Sequence, residues 1–334
     1  MAAPEPATIH FWRPPMSADP ILEARGLSKT FHAGGAMFGK QFHAVKGVSL
    51  SVAPGETLAV VGESGCGKST LARMLVGLET PDEGEILFQG APIKRDRALR
   101  RQVQMVFQDP YLSLNPRRTV LDIIAEPLDV HGLARGAARK ARVEELLTAV
   151  GLDPVAASRF PHEFSGGQRQ RIGIARALAA EPSVLVCDEP VSALDVSVQA
   201  QVVNLLIDLQ KRLDLAIIFI AHDLAVVRAI SNRVMVMYLG RTVEEGAAEQ
   251  VLVAPRHPYA IALRGSALEP DPKLARLARG TAARGEPPNP VNPPPGCRFN
   301  PRCSRVTAEC RVDEPMLIQA QGHSAVACYH PVHN

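Results

Sequence analysis

The 334-residue chain has no excess of charge of one sign: 37 lysines and arginines stand against 34 aspartates and glutamates, for a net charge of +3. That balance gives no electrostatic ground for a nucleic-acid carrier. It also lacks a long hydrophobic run. No segment reaches the ~18 uninterrupted apolar residues that a membrane-crossing helix needs, and the longest candidate, Leu215 to Val227, is broken by His222 and Asp223. Any work on a membrane must then be shared with chains that supply the spans. Met1 to Pro20 carries scattered prolines, a single Arg13 and no continuous apolar stretch, which does not fit a signal or transit peptide. Internal repeats are absent, and so are the close C-x2-C pairs usual for structural zinc. What is present is ordinary globular usage, 46% hydrophobic and 21% charged, in a chain long enough for one large or two ordinary domains.

The strongest positive signal is Gly62-Glu63-Ser64-Gly65-Cys66-Gly67-Lys68-Ser69, which fits the phosphate-cradling pattern G-x-x-x-x-G-K-[ST]. The glycines let successive backbone N–H groups converge on phosphates, and the following helix N-terminus adds favourable partial charge. In this pattern Lys68 reaches the β- and γ-phosphates, Ser69 places its hydroxyl on Mg2+, and Thr70 sits one residue deeper, toward the α-phosphate. The flanks agree. Thr57 to Val61 is a short apolar run after the turn-like Pro54-Gly55, and Lys68 to Val76 has helical spacing.

About a hundred residues on, Val184-Leu185-Val186-Cys187 ends in Asp188-Glu189. At the end of a buried strand one carboxylate can hold the magnesium shell while its neighbour faces an attacking water, which makes Glu189 the general base. His222 ends a second apolar run, Ala216 to Ala221. Such a histidine is either structural or in contact with the γ-phosphate and Glu189. Ser165-Gly166-Gly167-Gln168 has two compatible readings: a capping box that starts a helix, and an exposed helix N-terminus available to an anion. Since Lys68 already has a cradle, the second anion site makes most sense facing a nucleotide held by another chain.

Around these motifs the periodicity predicts alternating strands and helices. Val103 to Phe107 is a strand candidate ending at Gln108, and Val120 to about Phe160 is helical and reads as a separate subdomain. Helices follow at Gly166 to Ala180 and Val196 to Leu213. Ser183 to Cys187 and Ala216 to Ala221 read as buried parallel strands whose C-terminal ends line a crevice. Val234 to Leu239 and Thr242 to Glu245 look like an edge hairpin, and His257 to Gly265 a last helix. Prolines at 287, 288, 290 and 293–295 mark a linker into a small cysteine-bearing tail. The basic runs Lys94 to Arg101 and Arg135 to Arg142 read as solvated helix faces.

With these residues in hand, the chain resembles the ATP-binding cassette family: Walker A at Gly62 to Ser69, Q-loop glutamine Gln108, signature Ser165 to Gln168, Walker B ending at Asp188 beside Glu189, D-loop Ser192-Ala193-Leu194-Asp195 and switch histidine His222. Phe107 to Arg117, Asp188 to Ser197 and His257-Pro258-Tyr259 are similar to the oligopeptide/dipeptide permease ATPases, the second of their two subunit types. The resemblance implies a P-loop NTPase of the α/β class, with a RecA-like core, an antiparallel β subdomain, a helical subdomain at about 115–165 and a Cys-rich tail. It implies an N-terminal extension over 1–20, an ATPase domain over 21–265 and a transporter C-terminal region over 266–334. ATP and Mg2+ are the expected cofactors, with Ser69, Gln108 and Asp188 around the metal and Glu189, Gln108 and His222 as the catalytic set.

The resemblance further implies a heterodimer with a second cassette, in which Ser165 to Gln168 of one chain face the nucleotide of the other, with Asp195 of the D-loop among the nucleotide-binding residues. Two transmembrane permease subunits and a periplasmic or extracellular substrate-binding protein complete the assembly, peripheral on the cytoplasmic face of the cell membrane, with no nucleic acid. The cargo would be a di- or oligopeptide, with glutathione, nickel chelates or another peptide-like solute as the alternative. A soluble nucleic-acid-linked cassette is the rival class, disfavoured by the single cassette and the modest helical subdomain. The adenine-stacking aromatic should lie near Phe31, but residues 32–43 form a Gly-rich insertion in which Phe42 competes for the role.

Cys66 and Cys187 fall inside the nucleotide-binding core and read as small buried residues. Cys297, Cys303, Cys310 and Cys328 are separated by five, six and seventeen residues. Four thiolates can hold zinc, an iron–sulfur cluster or no metal at all. In the permease family this spacing resembles the ligands of a [4Fe-4S] cluster. The tail has too few apolar residues to build its own core, so a metal clip would stabilise it.

Overall fold

A computed structural model of the chain describes residues 19–33, 40–93, 97–266, 285–319 and 322–332. Nearly all of the N-terminal extension, the middle of the 32–43 insertion, Lys94 to Asp96 and the first part of the 266–334 region lie outside the described residues.

The chain opens with a long hairpin, β1 (Leu22–Ala33) and β2 (Lys40–Val52), enters the central sheet at β3 (Thr57–Val61) and turns into α1 (Lys68–Leu75). β4 (Glu83–Phe88) and β5 (Ala91–Pro92) return to the hairpin and complete an antiparallel sheet ordered β2-β1-β4-β5. A short α2 (Arg97–Gln102) leads into β6 (Val103–Val106) and the one-turn α3 (Pro110–Ser113). The helical stretch then forms α4 (Val120–His131) and α5 (Gly136–Ala149), followed by two 3-10 turns rather than further α-helix. Thr119 caps α4, and Gly132 ends it in the left-handed conformation at φ 68°, a position that favours glycine.

The second half alternates as its periodicity predicts: α6 (Gly166–Ala179), β7 (Val184–Asp188), α7 (Val196–Leu213), β8 (Ala216–Ala221), α8 (Leu224–Ile230), β9 (Arg233–Tyr238), β10 (Arg241–Ala247), α9 (Ala248–Val253) and α10 (Pro258–Ser266). In the tail, β11 (Ile318–Gln319) and β12 (Ala325–Val326) join the same sheet, whose order is β11-β12-β10-β9-β3-β8-β7-β6. β6, β7, β8, β3 and β9 are mutually parallel, and the β9–β10–β12–β11 end is antiparallel.

The parallel strands are buried on both faces, so alternate residues feed two cores. Ala59, Val61, Leu185, Cys187, Ile217 and Phe219 pack with α4 to α7. Leu58, Val60, Val184, Val186, Ile218 and Ile220 pack with α1 and the antiparallel sheet. One expectation needs correcting: the β9–β10 hairpin is not at the edge. β9 pairs with β3, and β10 is covered by β12, so the edge on that side belongs to β11. The tail also shares the core of the main body instead of standing alone. Phe299 is buried with its ring 5.4 Å from both Tyr238 and Tyr259. No helix among the described residues is long and apolar enough to cross a membrane.

Candidate active site

Four parallel strands end on one side of the sheet, and each delivers one chemical group to the same place. β3 runs into the P-loop, β6 into Gln108, β7 into Asp188 and Glu189, and β8 into His222. Parallel strands in register bring their C-terminal ends to one side, which is where open α/β sheets bind ligands.

In the P-loop, Gly67 sits at φ 106° as the N-cap of α1, and a Cβ there would lie 2.1 Å from the Ala44 carbonyl oxygen. Only glycine fits that close approach of two backbones. Lys68 is 4% exposed, and its Nζ donates to the carbonyls of Gly62 (2.8 Å) and Glu63 (3.0 Å). The ammonium is thus held under the loop, where an incoming phosphate can compete for it. Ser69 Oγ donates to Asp188 Oδ1 at 3.0 Å, and burial raises the Asp188 carboxyl above its ordinary range, partly offset by that bond. A half-buried hydroxyl beside a buried carboxylate is a hard oxygen donor set, the kind that suits Mg2+.

Glu189 is the hub. Its backbone is left-handed at φ 45°, and its N–H donates to the Ile220 carbonyl on β8. A non-glycine residue in that region costs roughly 1 kcal/mol or more, and such strain gathers at functional sites. The carboxylate receives Gln108 Nε2 at 3.2 Å and pairs with His222 Nδ1 at 3.3 Å, while Lys68 Nζ is 3.9 Å away. The groups expected around a γ-phosphate therefore meet at one side chain. Cys66 and Cys187 are buried beside this site, and burial pushes the Cys187 thiol up to about 12. Both are inert packing residues.

Ser165 to Gln168 stand apart from this cluster. Ser165 N–H donates to Gln168 Oε1 (3.0 Å) and Gln168 N–H to Ser165 Oγ (3.4 Å), a capping box at the exposed start of α6. A Cβ on Gly167 would meet Val198 Cγ1 at 2.3 Å, so this turn packs against the start of α7. Asp195 caps α7, accepting from Ser197 Oγ (2.7 Å) and Val198 N–H (3.0 Å), and those bonds hold its carboxyl low. Phe31 and Phe42 are direct partners in the β1–β2 ladder, with rings 6.0 Å apart. They share one face of the hairpin as a pair.

Sequence reasoning missed how the surroundings grip this site. α6 holds the segment on both sides of Gln108 through Gln170 Nε2 to the Phe107 carbonyl (3.3 Å), Arg176 Nη1 to the Ser113 carbonyl (2.6 Å) and Arg169 over the Tyr111 ring (3.9 Å). From the C-terminal side, Tyr259 and Arg302 bond to Glu63 of the P-loop. Cys297, Cys303, Cys310 and Cys328 line one small cavity together with His257, Pro258 and His330. Burial first, and then the neighbouring thiols, push Cys297 and Cys328 up to about 11. Among the described residues no group of three or more His, Cys, Asp or Glu side chains is arranged to hold a single metal ion.

Comparison with known proteins agrees with this geometry. The ABC transporter family matches residues 45–192, and the oligopeptide/dipeptide transporter C-terminal region matches residues 243–310. The dipeptide transport ATP-binding protein DppF of Haemophilus influenzae is 48% identical over 93% of this chain and 97% of its own length. The chain belongs to the ABC transporter ATP-binding family. The oligopeptide transport ATP-binding protein OppF of Escherichia coli is 52% identical over 86% of this chain and 88% of its own. Among solved structures, cbiO1 of Clostridium perfringens, part of the ABC transporter complex cbiONQ, superposes with a TM-score of 0.62 at 30% identity, over 78% of this ABC chain and 98% of that one. A dimeric MJ0796 cassette bound to ADP and Pi aligns with a TM-score of 0.59 at 30% identity, over 68% of this chain and 98% of its own. With its P-loop, Asp188 and Glu189 in place, this member of the ABC family is an ATPase.

Proposed function

We propose that this chain is the ATP-hydrolysing subunit of an importer of di- or oligopeptides. It works at the cytoplasmic face of the cell membrane with two membrane-spanning permease subunits, a second cassette and an external substrate-binding protein. The observation that carries the catalytic part is the Glu189 carboxylate, held by Gln108 and His222 one residue from the Asp188–Ser69 pair. The match of residues 243–310 to the oligopeptide/dipeptide transporter region supports the cargo.

In this reading the Gly62 to Thr70 loop wraps the phosphates and Phe31 or Phe42 stacks on adenine. Ser69, Asp188 and Gln108 would hold Mg2+, which neutralises charge on the β- and γ-phosphates. Glu189 orients the attacking water and takes its proton, and His222 keeps that carboxylate aimed. Gln108 links the same carboxylate to the segment beyond β6. Ser165 to Gln168 and Asp195 stand ready for the nucleotide of a partner cassette. Residues 21–265 would form the ATPase unit and 266–334 its transporter-specific extension.

In the same reading the four tail cysteines would hold a [4Fe-4S] cluster, with zinc or no metal as the alternatives. They line one small cavity, although among the described residues no group of three or more His, Cys, Asp or Glu side chains is arranged as a metal site. Anaerobically purified protein should be brown, with iron and acid-labile sulfide; colourless protein lacking both would end the cluster reading.

The function is tested by uptake of a labelled dipeptide in cells carrying Glu189→Gln. Loss of uptake supports the peptide importer. Normal uptake, with uptake of glutathione or a nickel chelate lost instead, would move the cargo to that solute.

A further inference from the structure

The P-loop is held from outside the ATPase core, at Glu63. Three groups converge on this residue. Tyr259 Oη accepts its backbone N–H at 2.8 Å, Lys68 Nζ donates to its carbonyl at 3.0 Å, and Arg302 grips its carboxylate through two bonds, Nη1–Oε2 at 2.9 Å and Nη2–Oε1 at 3.0 Å. Tyr259 lies in the first turn of α10 and Arg302 immediately before Cys303, so two of the three anchors come from beyond the parallel strands.

Both anchors are fixed in turn. Tyr259 is 1% exposed, with its ring 4.5 Å from Tyr238 and 5.4 Å from Phe299. The turn before it is tied down by buried Glu244 on β10, whose carboxylate accepts the N–H groups of Arg256 (2.9 Å) and His257 (2.8 Å) and the Ser324 hydroxyl (2.7 Å). The Arg302 side chain is 7% exposed, donates also to Tyr238 Oη at 3.3 Å, and lies 5.7 Å from the Phe299 ring. A planar guanidinium in a two-bond fork is orientationally rigid, unlike a flexible lysine in the same place.

The charge arrangement gives this a purpose. Glu63 puts a carboxylate into a loop whose task is to receive a polyanion, and an unpaired negative charge there would repel the triphosphate. Arg302 cancels that charge, and Tyr259 orients the first peptide of the loop.

We propose that Arg302 and Tyr259 are positioning residues for ATP binding, acting through Glu63 of the P-loop to neutralise its carboxylate and fix its backbone. This rests on the reading of the P-loop as the ATP site. It makes the cysteine-bearing tail a working part of the nucleotide site, since displacing the Asn300–Arg302 turn withdraws the compensating charge.

The test is titration of full-length protein with Mg–ATP, reading Kd beside kcat and KM, for Arg302→Ala, Glu63→Gln, the double variant, Arg302→Lys and Tyr259→Phe. Arg302→Ala is expected to weaken ATP about three- to tenfold, the scale of one nearby unpaired charge in a partly exposed site. Adding Glu63→Gln should recover most of that loss, which a merely structural role for Arg302 would not allow. Arg302→Lys should lose less than Arg302→Ala, and Tyr259→Phe should raise KM more than it lowers kcat. Unchanged affinity in Arg302→Ala, or a double variant no better than it, would overturn the proposal. If Arg302→Ala does not fold, wild-type affinity in both Arg302→Lys and Tyr259→Phe overturns it instead. Lys68→Ala separates the two levels: wild-type protein that binds no ATP, or binds it equally without Lys68, sinks the ATP-site reading, whereas loss in Lys68→Ala alone sinks only the role of Arg302 and Tyr259.

Discussion

Glu189 shows how much one side chain can carry. Its left-handed backbone places the carboxylate between Gln108 and His222, and the cost of that conformation is tolerated because β7 and β8 fix it from both sides. Glu189→Gln keeps the shape and removes the base, so ATP should still bind while turnover falls by about 10²- to 10⁴-fold. Steady-state phosphate release beside nucleotide titration checks this, and unchanged turnover would remove Glu189 from the role. At this scale the site is legible where its chemistry is contiguous, since the P-loop and Asp188-Glu189 each need neighbours in sequence. Arg302 is illegible for the opposite reason. Its partner Glu63 lies 239 residues away, and nothing local to Arg302 signals an ion pair at that distance.

Elements with a clean period were legible in their sequence. α4, α5 and α7 bury one stripe each, α6 is buried around most of its circumference, and β3, β7 and β8 are short apolar runs bounded by turns. β1 and β2 were hidden because register shifts at three points of their ladder break the two-residue alternation, and β4 is exposed along its first half. The capping box of α6 predicts a measurable loss: Ser165→Ala should cost about 1 kcal/mol, visible as a lower denaturation midpoint in urea. The turn before α10 predicts a pH effect. Burial lowers His257 to about 3, and its Nδ1 accepts the Tyr259 N–H, a bond that protonation there would break. Its unfolded value near 6.5 lies above the folded one, so the unfolded chain takes up the proton first and stability is lost as pH falls from about 6.5 toward 3. Thermal melts across that window should show a shallower acid limb for His257→Asn than for the parent; parallel limbs would contradict it.

At the scale of the whole molecule, the sheet divides two cores and the tail closes one end of it. Phe299 is the pin of that closure, so Phe299→Ala should destabilise the protein by about 3–5 kcal/mol; calorimetry showing a loss under about 1 kcal/mol would mean the tail is only lightly attached. The misplaced edge hairpin belongs to this scale too, because β10 has the pattern of an edge strand and its cover comes from far along the chain. Roughly 80 residues separate β10 from β12, and ribosomes add ~5–20 residues per second. For roughly 4–16 s of each synthesis, then, the flank of β10 is bare and Glu244 has no Ser324 to accept from. The newborn chain is most open to pairing with a wrong strand during that interval, when the P-loop and Walker B strands have already been made.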